Sequence, residues 1–390
     1  MPATPFSAAN TLPLAGLLVA DFSRVLAGPL ATMTLADLGA RVIKIERPDS
    51  GDDTRQWGPP YSTTGSTYFE SVNRNKESIC LDLTLPADRA VAIELASRAD
   101  VVVENFRPGT LDRLGLGWES LRVTNPGLIY SSITGFGSAE GAALPGYDFM
   151  VQALGGLMSV TGLPDQPMKV GVALVDVLTA KDATIGILAA LAERNTTGVG
   201  RRIEVNLLSS LQGALVNQAQ GFLGAGVVPQ GLGNTHPSIA PYEIMQCADG
   251  PLAIACGNDQ QFAKLCGELG ILELARDPRF TTNRARVDHR VELVSSLEQR
   301  LGTATAAHWQ AAFTSAGVPA GQVGTIADGI TLAETLGLNP TIIVSDAAGT
   351  PVGRQIRHPI TWTPPLNSPT TAPPRLGEHG TAVREWLRQS

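Results

Sequence analysis

Cysteine is scarce in this 390-residue sequence. Its four cysteines include no C-x-x-C pair, so the sequence indicates neither a disulfide framework nor a redox-active dithiol. We therefore expect free thiols and a reducing, cytoplasmic compartment. The five histidines are far apart and show no H-x-x-H or H-E-x-x-H spacing. The sequence accordingly predicts no metal site.

Long apolar runs and an excess of basic residues are also missing. The most apolar stretch, residues 183–192, ends at Glu193, well short of the roughly 20 residues that a membrane-spanning helix needs. The first fifteen residues lack a basic segment followed by an apolar one, so no signal peptide is predicted. The formal net charge of -7 argues against nucleic acid as the main partner, because binding to a phosphate backbone needs a concentrated basic surface. We expect neither a nucleic-acid nor a membrane partner.

What the sequence does contain is an alternation of strand and helix patterns over residues 1–210. The helical patterns include AGPLATMTLADLGA and the segment from Pro86 to Arg98. The predicted strands are GLLVADFS, RVIKIE, SICLDL, DVVVENF, PGLIYSSITGF and RRIEVNLL. This alternation predicts an α/β fold with a mostly parallel sheet and helices on its faces.

The regular alternation of strand and helix patterns ends at about residue 225. Two predicted strands joined by Asp249 and Gly250 are followed by helical patterns that continue to about residue 316. We interpret residues 1–225 as a large domain and residues 226–325 as a smaller α+β domain. Residues 326–390 form a C-terminal segment that ends in a helix near GTAVREWLRQ.

Several short segments near predicted helix starts are candidates for binding phosphate. RVLAGP ends a strand and opens a helix, where unpaired backbone N–H groups favour anions. It does not have the G-x-G-x-x-G pattern of a dinucleotide site. Nearby loops carry Arg47, Arg55, Arg74 and Lys76. From residue types alone, the favoured interpretation is that these side chains are solvated loop charges.

The segment ENFRPGTLDRLGLG places Asn105, Phe106 and Arg107 at the carboxyl end of a predicted strand. Open α/β sheets bind ligands at that end of their strands. The segment then turns at Pro108 and leads to Arg113. An ordinary strand-to-helix turn with a salt-bridged arginine is the alternative interpretation.

Asp176 lies in the apolar run VGVALVDVLTAKD, where a carboxylate is costly to bury. It could cap the helix that follows, it could be a buried structural acid with a partner, or it could be a nucleophile or base. The sequence pattern alone predicts the cap. Capping and catalysis are compatible, because backbone N–H groups at a helix start would keep a carboxylate ionised.

Taken together and in order, the motifs of this chain resemble those of the family III CoA-transferases. This family includes formyl-CoA and carnitine CoA-transferases and also contains the α-methylacyl-CoA racemases. The segments that carry the resemblance run from about Leu14 to Leu387. They are LAGLLVADFSRVLAGPLATMTLADLGARVIKIERPDSGDDTR, NRNKESICLDL, ADVVVENFRPGTLDRLGLG, YDFMVQALGGLMSVTG, VGVALVDVLTAKDATIGILAAL, GNTHPSIAPY and LGEHG.

The resemblance implies a Rossmann-like large domain to which residues 326–390 return, together with the small domain and an intertwined homodimer. It implies a CoA-transferase in which Asp176 attacks an acyl-CoA thioester and then carries CoA as an aspartyl thioester. The substrates would be acyl-CoA and a free carboxylic acid, with no permanently bound cofactor.

The same resemblance implies roles for other positions. Gly231 and Gly233 would support catalysis as a mobile cover, although QGLGNTHP lacks the longer glycine run of formyl-CoA transferase. Leu26 stands where that enzyme has a glutamine, so a gating role is not carried over. The residues expected to bind CoA are Val25, Leu26 and Ala27 at the thiol arm, Arg47 at the adenine, Lys76 and Arg113 at the phosphates, and Asn105 and Phe106 in the channel.

Tyr147 and Asp148 favour a transferase over a racemase. The related racemases have a histidine followed by an acid at this point and need two acid/base groups at the α-carbon. With an ordinary pKa near 10, a tyrosine is a poor replacement for an imidazole base. A racemase and a CoA-binding protein without turnover remain the alternatives.

Overall fold

The computed structural model describes residues 12–389, and its strands follow one another along most of that range. In chain order they are β1 (Leu18–Asp21), β2 (Arg41–Glu46), β3 (Lys76–Cys80), β4 (Val101–Glu104), β5 (Ile129–Thr134), β6 (Gly162–Leu163), β7 (Gln166–Pro167), β8 (Arg202–Asn206), β9 (Tyr242–Gln246), β10 (Pro251–Ala255), β11 (Ala320–Gln322), β12 (Thr341–Ser345) and β13 (Pro351–Ile356).

The helices alternate with the first strands and then predominate. In chain order they are α1 (Ala27–Asp37), α2 (Thr67–Glu70), α3 (Pro86–Arg98), α4 (Trp118–Thr124), α5 (Asp148–Leu154), α6 (Leu157–Val160), α7 (Leu174–Thr197), α8 (Leu207–Ala214), α9 (Val216–Ala225), α10 (Asp259–Glu268), α11 (Asn283–Asp288), α12 (Arg290–Leu301), α13 (Ala306–Ala316), α14 (Ile326–Thr335) and α15 (Gly380–Gln389). None of the helices described is long and apolar enough to cross a membrane.

Six strands form one parallel sheet in the order β3-β2-β1-β4-β5-β8. The prediction of an α/β fold with a mostly parallel sheet is therefore confirmed. The order reverses between β1 and β4, as in doubly wound folds. Short antiparallel sheets accompany it: β11-β10-β9, β12-β13 and β6-β7.

The sheet is buried on both faces because its strands alternate apolar side chains between two cores. On one face, Val19 and Val101 pack with residues of α1, α7 and α8. On the other, Ala20 and Val102 pack with residues of α3, α4 and α15. Helix α1 follows β1 on one face of the sheet, and α4 follows β4 on the other face. The chain therefore leaves these two adjacent strands in opposite directions, and a crevice forms at their carboxyl ends.

The chain divides into two compact units. The first contains the six-stranded sheet and comprises residues 12–157, 169–227 and 339–389. The second comprises residues 158–168 and 228–338. Its core joins β9 and β10 to α10, α12 and α13, with Phe262, Phe280 and Phe313 buried at the centre.

Candidate active site

The loops after β1 and β4 meet at the crevice, where side-chain hydrogen bonds join them. The backbone N–H of Arg24 donates to Oδ1 of Asn105 at 2.9 Å, and Nδ2 of Asn105 donates back to the carbonyl of Arg24 at 2.7 Å. Because β1 and β4 are neighbours in the sheet, two segments 81 residues apart in sequence form one wall.

Val25 occupies an unusual backbone conformation in this wall. Its φ is 71°, in the left-handed region that β-branched residues rarely enter. Its N–H is directed at both carboxylate oxygens of Asp52, each at 3.3 Å. Asp52 is in turn paired with Lys44 at 2.9 Å, and Lys44 donates to the carbonyl of Ser23 at 2.8 Å. The strained turn is thus held on both sides by a buried ion pair.

Asp21, Lys44, Asp52 and Lys76 form a group that we call the lysine-paired cluster. All four are buried, and Nζ of Lys76 lies 3.0 Å from Oδ2 of Asp21. Burial by itself would raise the pKa of Asp21, but the charges of Lys76 and Lys44 lower it to about 2. Burial lowers the pKa of Lys76 to about 8, and the charge of Asp21 offsets part of that effect. The acids of this cluster are ionised at neutral pH.

Asp176 lies in the first turn of the 24-residue helix α7, whose cap residue is Ala173. The prediction that Asp176 caps this helix is wrong. The helix-start N–H groups of Val175 and Asp176 instead donate to Oδ1 of Asp148, at 2.7 and 3.1 Å. Asp148 begins α5, and its other oxygen accepts from Nε2 of Gln152 at 2.6 Å. A carboxylate from another segment therefore occupies the position that Asp176 was expected to fill.

The environment of Asp176 raises its pKa to about 7, first because the group is buried and then because Asp148 is negatively charged. The expectation that the helix start keeps Asp176 fully ionised is therefore also wrong. The N–H groups that would have stabilised its charge bind Asp148 instead. At neutral pH the carboxyl group of Asp176 is therefore more readily protonated than an ordinary aspartate.

Tyr68 is a site residue that the sequence analysis missed. Burial raises the pKa of its phenol to about 12, with further contributions from the charges of Asp176, Asp148 and Asp52. The ring lies edge-on to Trp57, with 5.2 Å between the ring centres. Tyr68 is on the short helix α2, and nothing in the local sequence GSTYFE marks it as close to residues 80 to 108 positions later.

The turns of Val25 and Asn105 border one cavity of about 250 Å³ together with Asp148 and Asp176, whereas Tyr68 and the lysine-paired cluster do not line it. Its lining combines apolar side chains, such as Phe106, Phe136 and Leu144, with the two carboxylates Asp148 and Asp176. Arg24, Asp53 and Arg107 are its other charged lining residues. Among residues 12–389, no three His, Cys, Asp or Glu side chains are grouped so that they could hold a metal ion.

Comparison with known proteins identifies the type of site. The family model described as CoA-transferase family III matches residues 14–380. The chain belongs to CoA-transferase family III. It is thus an enzyme of the CoA-transferase type, as the resemblance of its motifs implied.

Relatives and solved structures cover almost the whole of this family III chain. It is 42% identical to the succinate–glutarate CoA-transferase of Agrobacterium fabrum, over 95% of this chain and 94% of that one. It is also 42% identical to the acetyl-CoA:oxalate CoA-transferase of Acetobacter aceti, over 96% and 95%. The crystal structure of a CAIB/BAIF family protein from Brucella suis superposes with a TM-score of 0.86 at 44% identity, covering 97% of this chain and all of that one.

Most of the residues singled out in the sequence meet at this cavity of the CoA-transferase. Those that line it are Val25, Leu26, Ala27, Asn105, Phe106, Tyr147, Asp148 and Asp176. The lining is drawn from the turns after β1 and β4, the start of α5 and the start of α7. Their roles toward CoA remain predictions.

The three cations expected at CoA are placed differently. The structure corrects the expectation that Lys76 lies at the phosphates of CoA. Its side chain is buried and its ammonium donates to Asp21, Asn73 and the carbonyl of Pro29, so it is not presented to a phosphate. Arg47 is exposed and paired with Asp53 at 2.6 Å. Arg113 is exposed on a 3-10 turn, with Nη2 3.4 Å from the hydroxyl of Thr110. Neither arginine lines the cavity.

Gly231 and Gly233 belong to the second unit, where they approach the β6-β7 hairpin. The N–H of Gly233 donates to the carbonyl of Gly162 at 2.6 Å, and its φ is 61°. A side chain at Gly231 would meet the same carbonyl oxygen at 2.7 Å. Glycine is therefore required at this close backbone approach, and the expected movement of the segment stays a prediction.

Proposed function

We propose that this enzyme transfers CoA from an acyl-CoA thioester to a free carboxylic acid, with Asp176 as the nucleophile. The observation that carries the proposal is the placement of Asp176. It lies in one cavity with the turns of Val25 and Asn105, at the start of a long helix and beside a second carboxylate. Burial and the charge of Asp148 make it more basic than an ordinary aspartate.

The proposed chemistry proceeds in two exchanges on each half of the reaction. A carboxylate oxygen of Asp176 attacks the thioester carbonyl, the carbon–sulfur bond breaks, and CoA leaves as a thiolate. The thiolate then attacks the side-chain carbonyl carbon of Asp176 in the resulting anhydride, which releases the donor acid and leaves CoA on Asp176 as a thioester. The acceptor carboxylate repeats both steps in reverse. No proton is consumed, and the thioester bond energy is retained.

The surroundings of Asp176 suit this chemistry. A carboxylate with a pKa of about 7 is a stronger nucleophile than an ordinary one and still has an ionised population at neutral pH. Apolar lining residues such as Phe136, Leu144 and Leu207 limit the access of water, which would hydrolyse the anhydride and the thioester.

The relatives suggest the class of acid. Two of them are named for succinate and glutarate and for oxalate, which are small dicarboxylic acids. We therefore propose that a small dicarboxylate is one of the two acids exchanged. A panel of mono- and dicarboxylic acceptors, assayed with succinyl-CoA and acetyl-CoA as donors, would identify the pair.

A homodimer, intertwined as in the family, is also part of this proposal. Four apolar side chains of α9 and its flanks are exposed in the first unit: Val216, Phe222, Leu223 and Val227. Leu223 is 76% exposed, and such a patch favours burial against another chain. Light scattering should give twice the chain mass, whereas Leu223→Glu is expected to yield smaller species. A monomeric wild-type protein would contradict the dimer.

The mechanism is tested by trapping and by substitution of Asp176. After addition of acyl-CoA, hydroxylamine is expected to convert Asp176 to a hydroxamate that peptide mass spectrometry locates. Asp176→Ala should lower acyl exchange on the order of 10³-fold or more. The matched control is Asp182→Asn on the same helix, whose carboxylate accepts from the hydroxyl of Ser210; it should retain most activity.

Full exchange by Asp176→Ala would overturn the nucleophile assignment. Loss of stereochemistry at the α-carbon without acyl exchange would instead identify a racemase. Binding of CoA without either reaction would identify a CoA-binding protein.

A further inference from the structure

The side chain of Arg24 lines the cavity and makes only weak polar contacts. Its guanidinium carbon lies 5.2 Å from the centre of the Phe106 ring. Its Nη1 lies 3.5 Å from Oδ2 of Asp53, long for an ion pair. The Nε is buried and has no hydrogen-bond acceptor within residues 12–389.

Asp53 does not compensate for this, because a second arginine takes its other oxygen. Nη2 of Arg47 lies 2.6 Å from Oδ1 of Asp53. Two guanidinium groups therefore share one carboxylate at the edge of the cavity. By contrast, Arg290 in the second unit donates to Glu243 and to two backbone carbonyls at 2.7 to 2.9 Å. Arg290 has the contacts of a structural arginine, and Arg24 does not.

We propose that Arg24 is an anion-binding residue of the cavity, which exchanges its weak contact with Asp53 for a phosphate or carboxylate group of a substrate. The proposal rests on the CoA-transferase function proposed above and deepens it. A guanidinium presents donors in a planar fork that matches two oxygens of such an anion. Binding an anion at the exposed part of the guanidinium would neutralise the surplus positive charge beside Asp53.

The other charged or titratable residues lining the cavity are Asp53, Arg107, Tyr147, Asp148 and Asp176. Asp176 is the residue proposed to meet the reacting carbonyl, so the anion at Arg24 would be a separate group of the same substrate. The diphosphate of CoA and the second carboxylate of a dicarboxylic acid both have this chemistry.

Direct binding measurements test the proposal without requiring turnover. Titration calorimetry with CoA compares the wild type with Arg24→Gln and Arg24→Lys. A matched control is Arg279→Gln, since Arg279 also pairs with an aspartate (Asp277, 2.7 Å) and lies 5.0 Å from a phenylalanine ring (Phe280) but does not line the cavity. If a phosphate is the anion, we expect Arg24→Gln to weaken CoA binding about tenfold. Arg24→Lys should restore part of the affinity, and the control should bind normally.

Two further arms identify the source of the anion. Pantetheine has the thiol arm of CoA without its phosphates, so its binding should be the same in wild type and Arg24→Gln if a phosphate is recognised. If a carboxylate is recognised, Arg24→Gln should leave CoA binding unchanged. It should then raise KM about tenfold for a dicarboxylate acceptor but not for a monocarboxylate of equal length. Asp53→Asn removes the competing carboxylate, so it should tighten binding of the same ligand.

The proposal is overturned if Arg24→Gln changes neither CoA affinity nor the KM for dicarboxylates. It is also overturned if pantetheine and CoA weaken equally, or if Arg279→Gln has the same effect. If the wild type binds CoA through Arg24 but exchanges no acyl group, the CoA-transferase function fails and the anion site stands.

Discussion

Two groups of acids in the same unit respond in opposite ways to removal from water. In the lysine-paired cluster, Asp21 is fully buried, yet its pKa falls to about 2 because Lys76 and Lys44 lie beside it. In the cavity, the pKa of Asp176 rises to about 7 because burial is reinforced by Asp148 instead of being offset by a cation. The sign of the neighbouring charge decides whether the pKa of a buried carboxylate falls below or rises above its ordinary value.

Asp21 and Asp176 therefore affect the stability of the fold in opposite ways as the pH changes. The folded pKa of Asp21 lies below the ordinary value of 3.8, so its contribution to stability is present above pH 4 and is lost between about pH 4 and 2. The folded pKa of Asp176 lies above 3.8, so the unfolded chain loses this proton first. Asp176 therefore reduces stability progressively as the pH rises from about 4 to 7. Such a cost is typical of a functional site.

The largest effect is expected from breaking the lysine-paired cluster. Lys76→Met removes one partner of a buried ion pair and leaves the charge of Asp21 poorly compensated. We expect the free energy of unfolding to fall by about 3–5 kcal/mol at pH 7, measured by urea denaturation. As a control, Arg122→Met removes an exposed partner of Glu119 and should cost less than about 1 kcal/mol. An equal loss of unfolding free energy in the two variants would show that the buried ion pair stabilises the fold no more than the exposed one.

A smaller and opposite effect is expected when the cavity acid is neutralised. Asp176→Asn removes a carboxylate that is unfavourable in the folded state at high pH. Allowing for its partial exposure, the variant should be more stable than wild type by roughly 2 kcal/mol at pH 8. The two proteins should be equally stable at pH 4. Thermal denaturation across this range measures the difference, and Asp182→Asn should show none. A gain that does not depend on pH would contradict the raised pKa.

The neighbour of Asp176 can be tested through the pH dependence of the reaction. Asp148→Asn removes a negative charge but keeps an oxygen that can accept from the N–H groups of Val175 and Asp176. The pKa of Asp176 should fall, while burial still keeps it above the ordinary value. The acid limb of the kcat/KM profile should therefore move to lower pH, with several-fold more activity relative to the optimum below pH 6.

Asp148→Ala is the matched comparison, because it removes both the charge and the helix cap. It should move the acid limb in the same direction and also lower thermal stability by about 1 kcal/mol. An acid limb that stays in place in both variants would show that Asp148 does not control the ionisation of Asp176.

The smallest effect concerns the turn that the lysine-paired cluster supports. Val25 is held at a positive φ through Asp52, and glycine adopts that conformation without strain. Val25→Gly should relieve about 1 kcal/mol of backbone strain, which its greater flexibility in the unfolded chain partly cancels. Stability should therefore change little, whereas KM for acyl-CoA should rise a few-fold because Val25 no longer borders the cavity. An unchanged KM would show that the side chain is not part of the binding wall.

The local pattern predicted many elements of the fold. The helix from Pro86 to Arg98 was predicted at the bounds observed, and the strand patterns before it form the parallel sheet. The β12-β13 hairpin was not predicted. Its second strand, PVGRQI, mixes polar and apolar residues and contains a glycine. It therefore lacks the run of apolar residues by which the strands of the parallel sheet were predicted.

The candidate site was predicted in part. Val25 and Asn105 follow strands that the alternation already placed in one sheet, so their proximity follows from topology. The cap of α7 and the position of Tyr68 could not be predicted in this way. Asp148 reaches the helix start across 28 residues of sequence, and α2, which carries Tyr68, is four residues long and leaves no periodic signal.

The sequence by itself determined the alternation of strands and helices, because these depend on residue type and local spacing. The order of its motifs also indicated the family, and the resemblance to that family made Asp176 the proposed nucleophile. Only the tertiary structure decided the state of each charge. Lys76 is 55 residues from Asp21 in sequence and 3.0 Å away in space, and Asp148 takes the N–H groups expected for Asp176. A pKa depends on the distances between such groups and on their exposure to water, and folding sets both.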